Sequence, residues 1–212
     1  MGRLRNAGRI WRQAGSAAEG LMVPCAGPYF TVDIAQLFGH DAHLEVEIGA
    51  GRGDFIIERA AATPNHGFLA IESVATLAQL IAIRAGRRGL VNLRVIRMDA
   101  RTLVNLMLPD ASVAACHIYF PDPWPKERHL KHRLFMPPFV SSLARTLKPG
   151  APLFVATDVA LYAERIFALL LDGGFRHVEL PVPGATLTGF ARKFIAEGRP
   201  IYAAAFTRPL TS

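Results

Sequence analysis

The feature that most constrains the fold is an alternation of short apolar runs with segments of helical character, which begins at Leu44 and continues almost to the end of the chain. Five of the apolar runs, LEVEIG, GFLAIES, NLRVIRM, VAACHIYF and PLFVATD, are each followed by a segment that predicts a helix, and FRHVEL and PIYAAAF predict two last strands. Strands that alternate with helices predict an α/β fold, with a mainly parallel sheet covered by helices on both faces.

The chain is predicted to contain one domain and a basic arm. The first 20 residues carry arginines at positions 3, 5, 9 and 12 and no acid before Glu19, which is typical of a flexible basic segment. Residues 21–212 are predicted to form the single domain, because 51% hydrophobic residues suffice for a buried core. The net charge of +7 favours nucleic acid as a partner, with a generic basic surface as the alternative.

Several observations favour a cytoplasmic location. No apolar run has the length of a membrane span, and the basic N-terminus lacks the continuous apolar segment of a signal peptide. The two cysteines, Cys25 and Cys116, do not indicate a disulfide framework and suit a reducing compartment. We therefore expect no membrane association, and no obligate protein partner is evident.

Acidic residues recur at the ends of the predicted strands. They are Glu47, Glu72, Asp99, Asp122 and Asp158, and Ala100, directly after Asp99, is counted with them because its backbone amide could also contact a ligand. Ligands of parallel sheets bind at the carboxyl ends of strands. Each acid alone is more simply a helix cap or a solvated loop residue, but their recurrence indicates a common ligand site.

A glycine loop follows the first of these acids. Gly49, Gly51 and Gly53 lie between a predicted strand and a predicted helix, where glycine lets the backbone turn tightly and approach a ligand. No Gly-Lys-Ser/Thr phosphate loop is present, and an acid-lined cleft suits a cation with hydroxyl and amine donors. S-adenosylmethionine has these properties.

The fourth predicted strand ends in YFPDPWPKERHLKHRL, residues Tyr119 to Leu134. Together with EIGAGRG upstream and ATD downstream, this segment resembles the bacterial tRNA (guanine-N7)-methyltransferases, over roughly residues 44 to 206. The resemblance implies a Rossmann-like class I methyltransferase fold with an antiparallel last strand. It also implies methyl transfer from S-adenosylmethionine to N7 of a guanine in the variable loop of tRNA.

The resemblance also implies roles for individual residues. The expected cofactor-binding residues are Glu47, Gly49, Gly51, Gly53, Glu72, Asp99, Ala100 and Asp122. Asp122 is in addition the catalytic candidate, acting by position and charge rather than as a general base. The expected substrate-binding residues are Lys126, Arg128, His129, Lys131, Arg133, Asp158, Thr188 and Lys193.

One position departs from the family pattern. The family carries Thr-x-aromatic-Glu before Lys-Phe, and TGFARKF places Ala191 where the glutamate is expected. A carboxylate there would suit the N1 and amino donors of guanine, so Asp158 or Glu197 could substitute for it. Alternatively the protein is a paralogous methyltransferase for another RNA or a small molecule, or a non-catalytic RNA-binding protein. If the loss is a handicap, Ala191→Glu is expected to raise activity.

Two remaining groups have weaker interpretations. His129 and His132 lie three residues apart without further ligands at suitable spacing, so no metal site is predicted. Two basic clusters are further candidates for RNA contact, with solvated helix ends as the alternative interpretation. Their members are Arg84, Arg87 and Arg88, and Arg192, Lys193 and Arg199.

Overall fold

A computed structural model describes residues 18–24, 31–124 and 133–208. The strands of this part are β1 (His43–Ile48), β2 (His66–Glu72), β3 (Leu93–Arg97), β4 (Val113–Tyr119), β5 (Pro152–Thr157), β6 (Arg176–Val178) and β7 (Tyr202–Thr207). Its helices are α1 (Ile34–Phe38), α2 (Asp54–Ala62), α3 (Ala75–Arg87), α4 (Ala100–Leu106), α5 (Pro137–Thr146), α6 (Ala160–Asp172), α7 (Gly184–Leu187) and α8 (Gly189–Ala196).

The strands form one seven-stranded sheet in the order β3-β2-β1-β4-β5-β7-β6. Strands β1 to β5 run parallel to one another, and β7 pairs antiparallel with both β5 and β6. The predicted mainly parallel sheet with an antiparallel last strand is confirmed. The strand order reverses between β1 and β4, and ligands of such sheets bind in the crevice beyond that switch point.

Helices cover both faces of the sheet, as predicted. One face packs on α1, α4, α5 and α6, with Phe139 and Ile166 among the buried residues. The other face packs on α2 and α3, with Phe55 and Ile81 buried. The five parallel strands are buried almost along their whole length, which accounts for their nearly continuous apolar sequences.

The structure adds elements that the pattern did not predict. Helices α1, α7 and α8 are short, and short helices depend on tertiary packing rather than on a periodic sequence. The segment around Met22 adds to the edge of the sheet beside β3, because Val23 N–H donates to the Val95 carbonyl at 2.9 Å and Val95 N–H donates to the Leu21 carbonyl at 2.8 Å.

Most of the predicted basic arm lies outside the described residues, so its boundary at residue 20 stays a prediction. The described helices include none with the length and apolar character that a bilayer crossing requires.

Candidate active site

The glycine loop has the left-handed backbone that its sequence predicts. Gly49, Gly51 and Gly53 have φ values of 72°, 58° and 72°. An added Cβ at Gly53 would lie 3.0 Å from Ile81 Cγ1, so this glycine also permits close packing of α2 on α3. At Gly49 nothing would contact an added Cβ, which leaves an open cradle beside the loop.

Glu72 connects this loop to the next strand. Its Oε2 accepts a hydrogen bond from Gly51 N–H at 2.8 Å, and its Oε1 accepts one from Val74 N–H at 2.8 Å. A carboxylate has about four lone-pair positions, so both oxygens can accept further hydrogen bonds. The carboxylate therefore shapes the loop and still offers acceptors to a ligand.

A first cavity of about 360 Å³ lies at the ends of β1 to β4. It brings together most of the predicted cofactor residues: Gly49, Gly51, Glu72, Asp99, Ala100 and Asp122. Asp99 is the N-cap of α4 and accepts a hydrogen bond from Arg101 N–H at 2.8 Å. Its side chain also pairs with the Arg101 guanidinium at 2.9 Å, and these hydrogen bonds lower the pKa of Asp99.

The loop that carries Asp122 has a strained but well-held backbone. Phe120 and Trp124 have φ values of 52° and 41°, a region that costs a non-glycine residue about 1–3 kcal/mol. Phe120 N–H donates to the Ala156 carbonyl at 2.7 Å. Arg133 Nε donates to the Pro123 carbonyl at 2.7 Å, which ties the other end of the loop.

The structure thus places Asp122 at the cavity edge, with an exposed side chain. Arg133, predicted to contact the substrate, supports the Asp122 loop, and its guanidinium lies 5.1 Å from the centre of the Tyr162 ring. The other predicted members of the basic segment lie outside the described residues: Lys126, Arg128, His129 and Lys131. Their roles stay predictions.

A second cavity of about 620 Å³ adjoins the first between the glycine loop and α8. Both cavities are lined by Gly49, Gly51, Leu77, Tyr119, Phe120 and Phe190. The second contains the predicted residues Glu47, Thr188 and Lys193, together with Asp54 and Arg192.

Glu47 is the most unusual carboxyl group of this site. It is buried, and its Oε2 has no hydrogen-bond partner among the described residues. Burial raises its pKa well above the usual value, and the nearby charges of Asp54 and Glu72 add to the shift, which a hydrogen bond from the Ile56 backbone opposes. An unpartnered buried oxygen beside an open glycine cradle fits a ligand that carries an amine donor, as S-adenosylmethionine does.

Helix α8 covers the second cavity. Thr188 is its N-cap, and Thr188 Oγ1 accepts a hydrogen bond from Ala191 N–H at 3.0 Å. Ala191 is fully buried, at 0% exposure. Phe190, which lines both cavities, and the buried Phe194 pack against Phe120, with ring centroids 6.3 Å and 5.4 Å away.

Asp158 and Lys193 have partners within the protein. Asp158 is 12% exposed and forms an ion pair with Arg199, whose guanidinium lies 4.0 Å above the Phe194 ring. Asp158 is not among the residues that line either cavity. Lys193 lies 3.8 Å from Glu197 and is largely exposed. Their predicted roles in substrate binding stay predictions.

Comparison with known proteins identifies the family. The model of a family described as "Putative methyltransferase" matches residues 41–204. The chain is 37% identical over 195 residues to a tRNA (guanine-N(7)-)-methyltransferase of Syntrophotalea carbinolica, a match that covers 85% of this chain and 84% of the relative. The chain belongs to the tRNA (guanine-N(7)-)-methyltransferase family. A second member, from Halorhodospira halophila, is 36% identical, with 94% of this chain and 90% of that relative covered.

Solved structures of methyltransferases share the fold of this family member. A 16S rRNA (adenine(1408)-N(1))-methyltransferase from Catenulisporales acidiphilia, solved with cosubstrate SAM, aligns with a TM-score of 0.62 and 18% identity, covering 90% of this chain and 95% of that one. A SAM dependent methyltransferase from Aquifex aeolicus aligns with a TM-score of 0.57 and 14% identity, covering 95% and 98%. At these identities the likeness concerns the fold alone.

Two cavity residues of this family member were not among the predicted cofactor or catalytic residues. Asp54 follows the glycine loop directly, and Arg192 was considered only as part of a basic cluster. The ion pair between them, with Asp54 Oδ2 and Arg192 Nη2 3.3 Å apart, joins α2 to α8. The position of Asp54 beside a predicted ligand loop is the one sequence signal that could have indicated it.

A polar cluster lies towards the amino ends of β1 and β2, whereas the cavities lie at the carboxyl ends of the strands. His43, Glu45 and His66 are the one group in the described part of the chain whose side chains are spaced for a metal ion. The Glu45 carboxylate already pairs with Arg59 at 2.9 Å and accepts hydrogen bonds from His66 and His117, so its oxygens are occupied. That the family member needs no metal stays a prediction.

Proposed function

We propose that this family member transfers the methyl group of S-adenosylmethionine to N7 of a guanine in the variable loop of tRNA. The observation that carries the proposal is that an acid-lined cavity beside the glycine loop adjoins a second, larger cavity at Phe120 and Phe190. One cavity suits a methyl donor and the other a base. The relatives named tRNA (guanine-N(7)-)-methyltransferase support the same substrate.

The residues of the first cavity match the groups of the donor. Glu72 offers acceptors to ribose hydroxyls, and Asp99 with Ala100 stands where an adenine edge would lie. Glu47, which is buried with an unpartnered oxygen and lines the adjoining second cavity, suits the ammonium group of the amino-acid end, so the donor would extend to the border of the two cavities. When bound, S-adenosylmethionine supplies a methyl group already activated by the positive charge on sulfur.

The base needs little chemical assistance from the protein. Guanine N7 has a free lone pair and attacks without losing a proton, so alignment of the two reactants is the main requirement. The base becomes positively charged as it is methylated, and the carboxylate of Asp122 at the cavity edge would stabilise that charge. The aromatic rings of Phe120 and Phe190 would exclude water from the reacting atoms.

The RNA must deliver its base into a covered pocket. In folded tRNA the variable-loop guanine is held in tertiary pairing, so we expect it to be extruded before reaction. The net charge of +7 suits binding of the phosphate backbone. A cytoplasmic location, an arm over residues 1–20 and one methyltransferase domain over residues 21–212 are parts of the same proposal.

Methyl transfer from labelled S-adenosylmethionine to an unmodified tRNA transcript tests the proposal, followed by mapping of the modified base. We expect N7-methylguanosine in the variable loop. Asp122→Ala is expected to abolish turnover, and Glu58→Gln, which changes an exposed carboxylate of the same fold, is expected to leave it intact. No incorporation into tRNA while S-adenosylmethionine still binds would overturn the proposal. Incorporation only into another RNA would favour the paralogue interpretation.

A further inference from the structure

The family carries a glutamate at the position that Ala191 occupies in this chain. If the base is guanine, another carboxylate must take the place of that glutamate. We propose that Asp54, paired with Arg192, reads the Watson–Crick edge of the target guanine in the second cavity. This inference rests on the proposed function and assigns a specificity role to two side chains of this chain.

Asp54 reaches the region of the missing carboxylate from the opposite wall of the cavity. It is the first residue of α2, directly after the left-handed turn at Gly53. A Cβ added at Gly189 would lie 2.6 Å from Asp54 Oδ2, so the Asp54 carboxylate abuts the first residue of α8. Ala191 follows only two residues later, and its small side chain is buried. The carboxylate therefore stands beside the same helix turn, but on another element.

Two arginines position this carboxylate and leave it acceptor capacity. Arg84 Nη1 donates to Asp54 Oδ1 at 2.7 Å and also to the Arg52 carbonyl, which fixes the side chain. Arg192 Nη2 lies farther away, 3.3 Å from Oδ2, and its side chain is 58% exposed. A carboxylate that accepts one hydrogen bond at each oxygen retains a lone pair at each.

The pair matches guanine in its pattern of donors and acceptors. The N1–H and 2-amino groups of guanine are neighbouring donors, which the two oxygens of Asp54 would accept. O6 is an acceptor, to which the Arg192 guanidinium would donate. Adenine presents an acceptor at N1 and a donor at position 6, so both contacts would be unfavourable. Phe190, which lines the same cavity, offers a ring for stacking on the base.

The other two candidate carboxylates are less well placed. Asp158 is held by Arg199. Glu197 lies between Lys193 and Arg199, at 3.8 Å and 3.7 Å, on the exposed end of α8. Neither residue lines the first or the second cavity. Among these three carboxylates, only Asp54 faces the cavity that contains Thr188 and Phe190.

The test compares a tRNA transcript with guanosine at the target position against one with inosine, which lacks only the 2-amino group. We expect the kcat/KM of the wild-type protein to be roughly tenfold or more higher for the guanosine transcript than for the inosine transcript. One hydrogen bond to a charged group contributes about this factor. Asp54→Asn should bring that ratio towards one, because an amide oxygen accepts fewer donors. Glu58→Gln should keep the wild-type ratio, and calorimetry should show unchanged S-adenosylmethionine affinity for both variants.

Arg192→Gln provides a second test of the inference, which can be carried out even if Asp54→Asn does not fold. Both bases carry O6, so we expect this variant to lower kcat/KM for guanosine and inosine transcripts by the same factor, roughly tenfold. The inference is overturned if the wild-type protein does not discriminate, if Asp54→Asn keeps the ratio, or if Arg192→Gln changes nothing. A wild-type protein that binds S-adenosylmethionine but methylates neither transcript instead overturns the proposed function, and this inference with it.

Discussion

The Glu72 carboxylate accepts a hydrogen bond from the backbone N–H of Gly51 at 2.8 Å, which joins the end of β2 to the glycine loop after β1. The acid predicted to bind ribose is therefore also the residue that holds the loop in place. Its other oxygen accepts from Val74 N–H at the start of α3. The shape of the loop and the predicted ligand contact thus depend on one side chain.

Glu72→Gln is expected to weaken S-adenosylmethionine binding by roughly ten- to hundredfold, because the amide NH₂ would face an N–H donor. Isothermal titration calorimetry measures the change directly. Glu58→Gln is the matched control, since Glu58 lies on the exposed side of α2 and pairs with Arg88. Equal affinity of Glu72→Gln and the wild-type protein would contradict the role given to Glu72.

Gly53→Ala is expected to lower the free energy of unfolding by roughly 2–4 kcal/mol, from left-handed strain and from overlap with Ile81. Gly89→Ala is the control, because Gly89 has a φ of 67° and nothing lies within 4 Å of an added Cβ. Gly89→Ala should lower the free energy of unfolding by the backbone strain alone, roughly 1–2 kcal/mol. Urea denaturation of both variants separates the two contributions, and equal losses would show that packing at Gly53 is unimportant.

Glu45 is expected to make stability sensitive to acid. Burial alone would raise its pKa, but hydrogen bonds from His117, Arg59 and His66 lower it below the ordinary value of 4.5. A carboxyl group with a depressed folded pKa stabilises the protein above its unfolded pKa, and this contribution is lost as pH falls from 4.5 towards the folded pKa.

Glu45→Gln should therefore lower the free energy of unfolding at neutral pH by roughly 2–3 kcal/mol, a value reduced because Arg59 is partly exposed. The variant should also lose less stability than the wild-type protein when the pH falls below 4.5. Urea titrations at neutral and acid pH measure both effects. Parallel pH profiles for the two proteins would refute this account.

The burial of Ala191 reverses the expectation that Ala191→Glu raises activity. A glutamate at a fully buried position brings extra volume and an unpaired charge into a packed contact, which we expect to destabilise the protein by roughly 2–4 kcal/mol. Ala196→Glu is the control, since Ala196 is exposed on the same helix. Thermal denaturation and methyl transfer are measured together. A stable Ala191→Glu variant with faster turnover would restore the original expectation.

Local pattern predicted much of this structure. The run VAACHIYF predicts a strand over residues 113–120, and β4 occupies Val113–Tyr119. Glu72, Asp99 and Asp122 come together in one cavity because parallel strands end at one edge of the sheet. These relationships follow from short-range periodicity and from a general rule of sheet topology.

Other relationships depend on tertiary contacts that no local pattern records. Asp54 is separated by 30 residues from its partner Arg84, and α8 has too few turns for its period to indicate which side Ala191 faces. The left-handed backbone at Phe120 has no glycine to mark it. Sequence alone therefore grouped the residues of the first cavity better than those of the second.

Helices α7 and α8 are attached to the rest of the protein by side chains rather than by strand pairing. Gly184 packs against the Tyr119 ring, α8 rests on Phe120, and Asp54 pairs with Arg192. A segment held at a few points can open locally without unfolding the sheet. We expect its backbone amides to exchange with deuterium much faster than those of β1, and the frequency of this opening to set how quickly the spent methyl donor and the modified RNA leave.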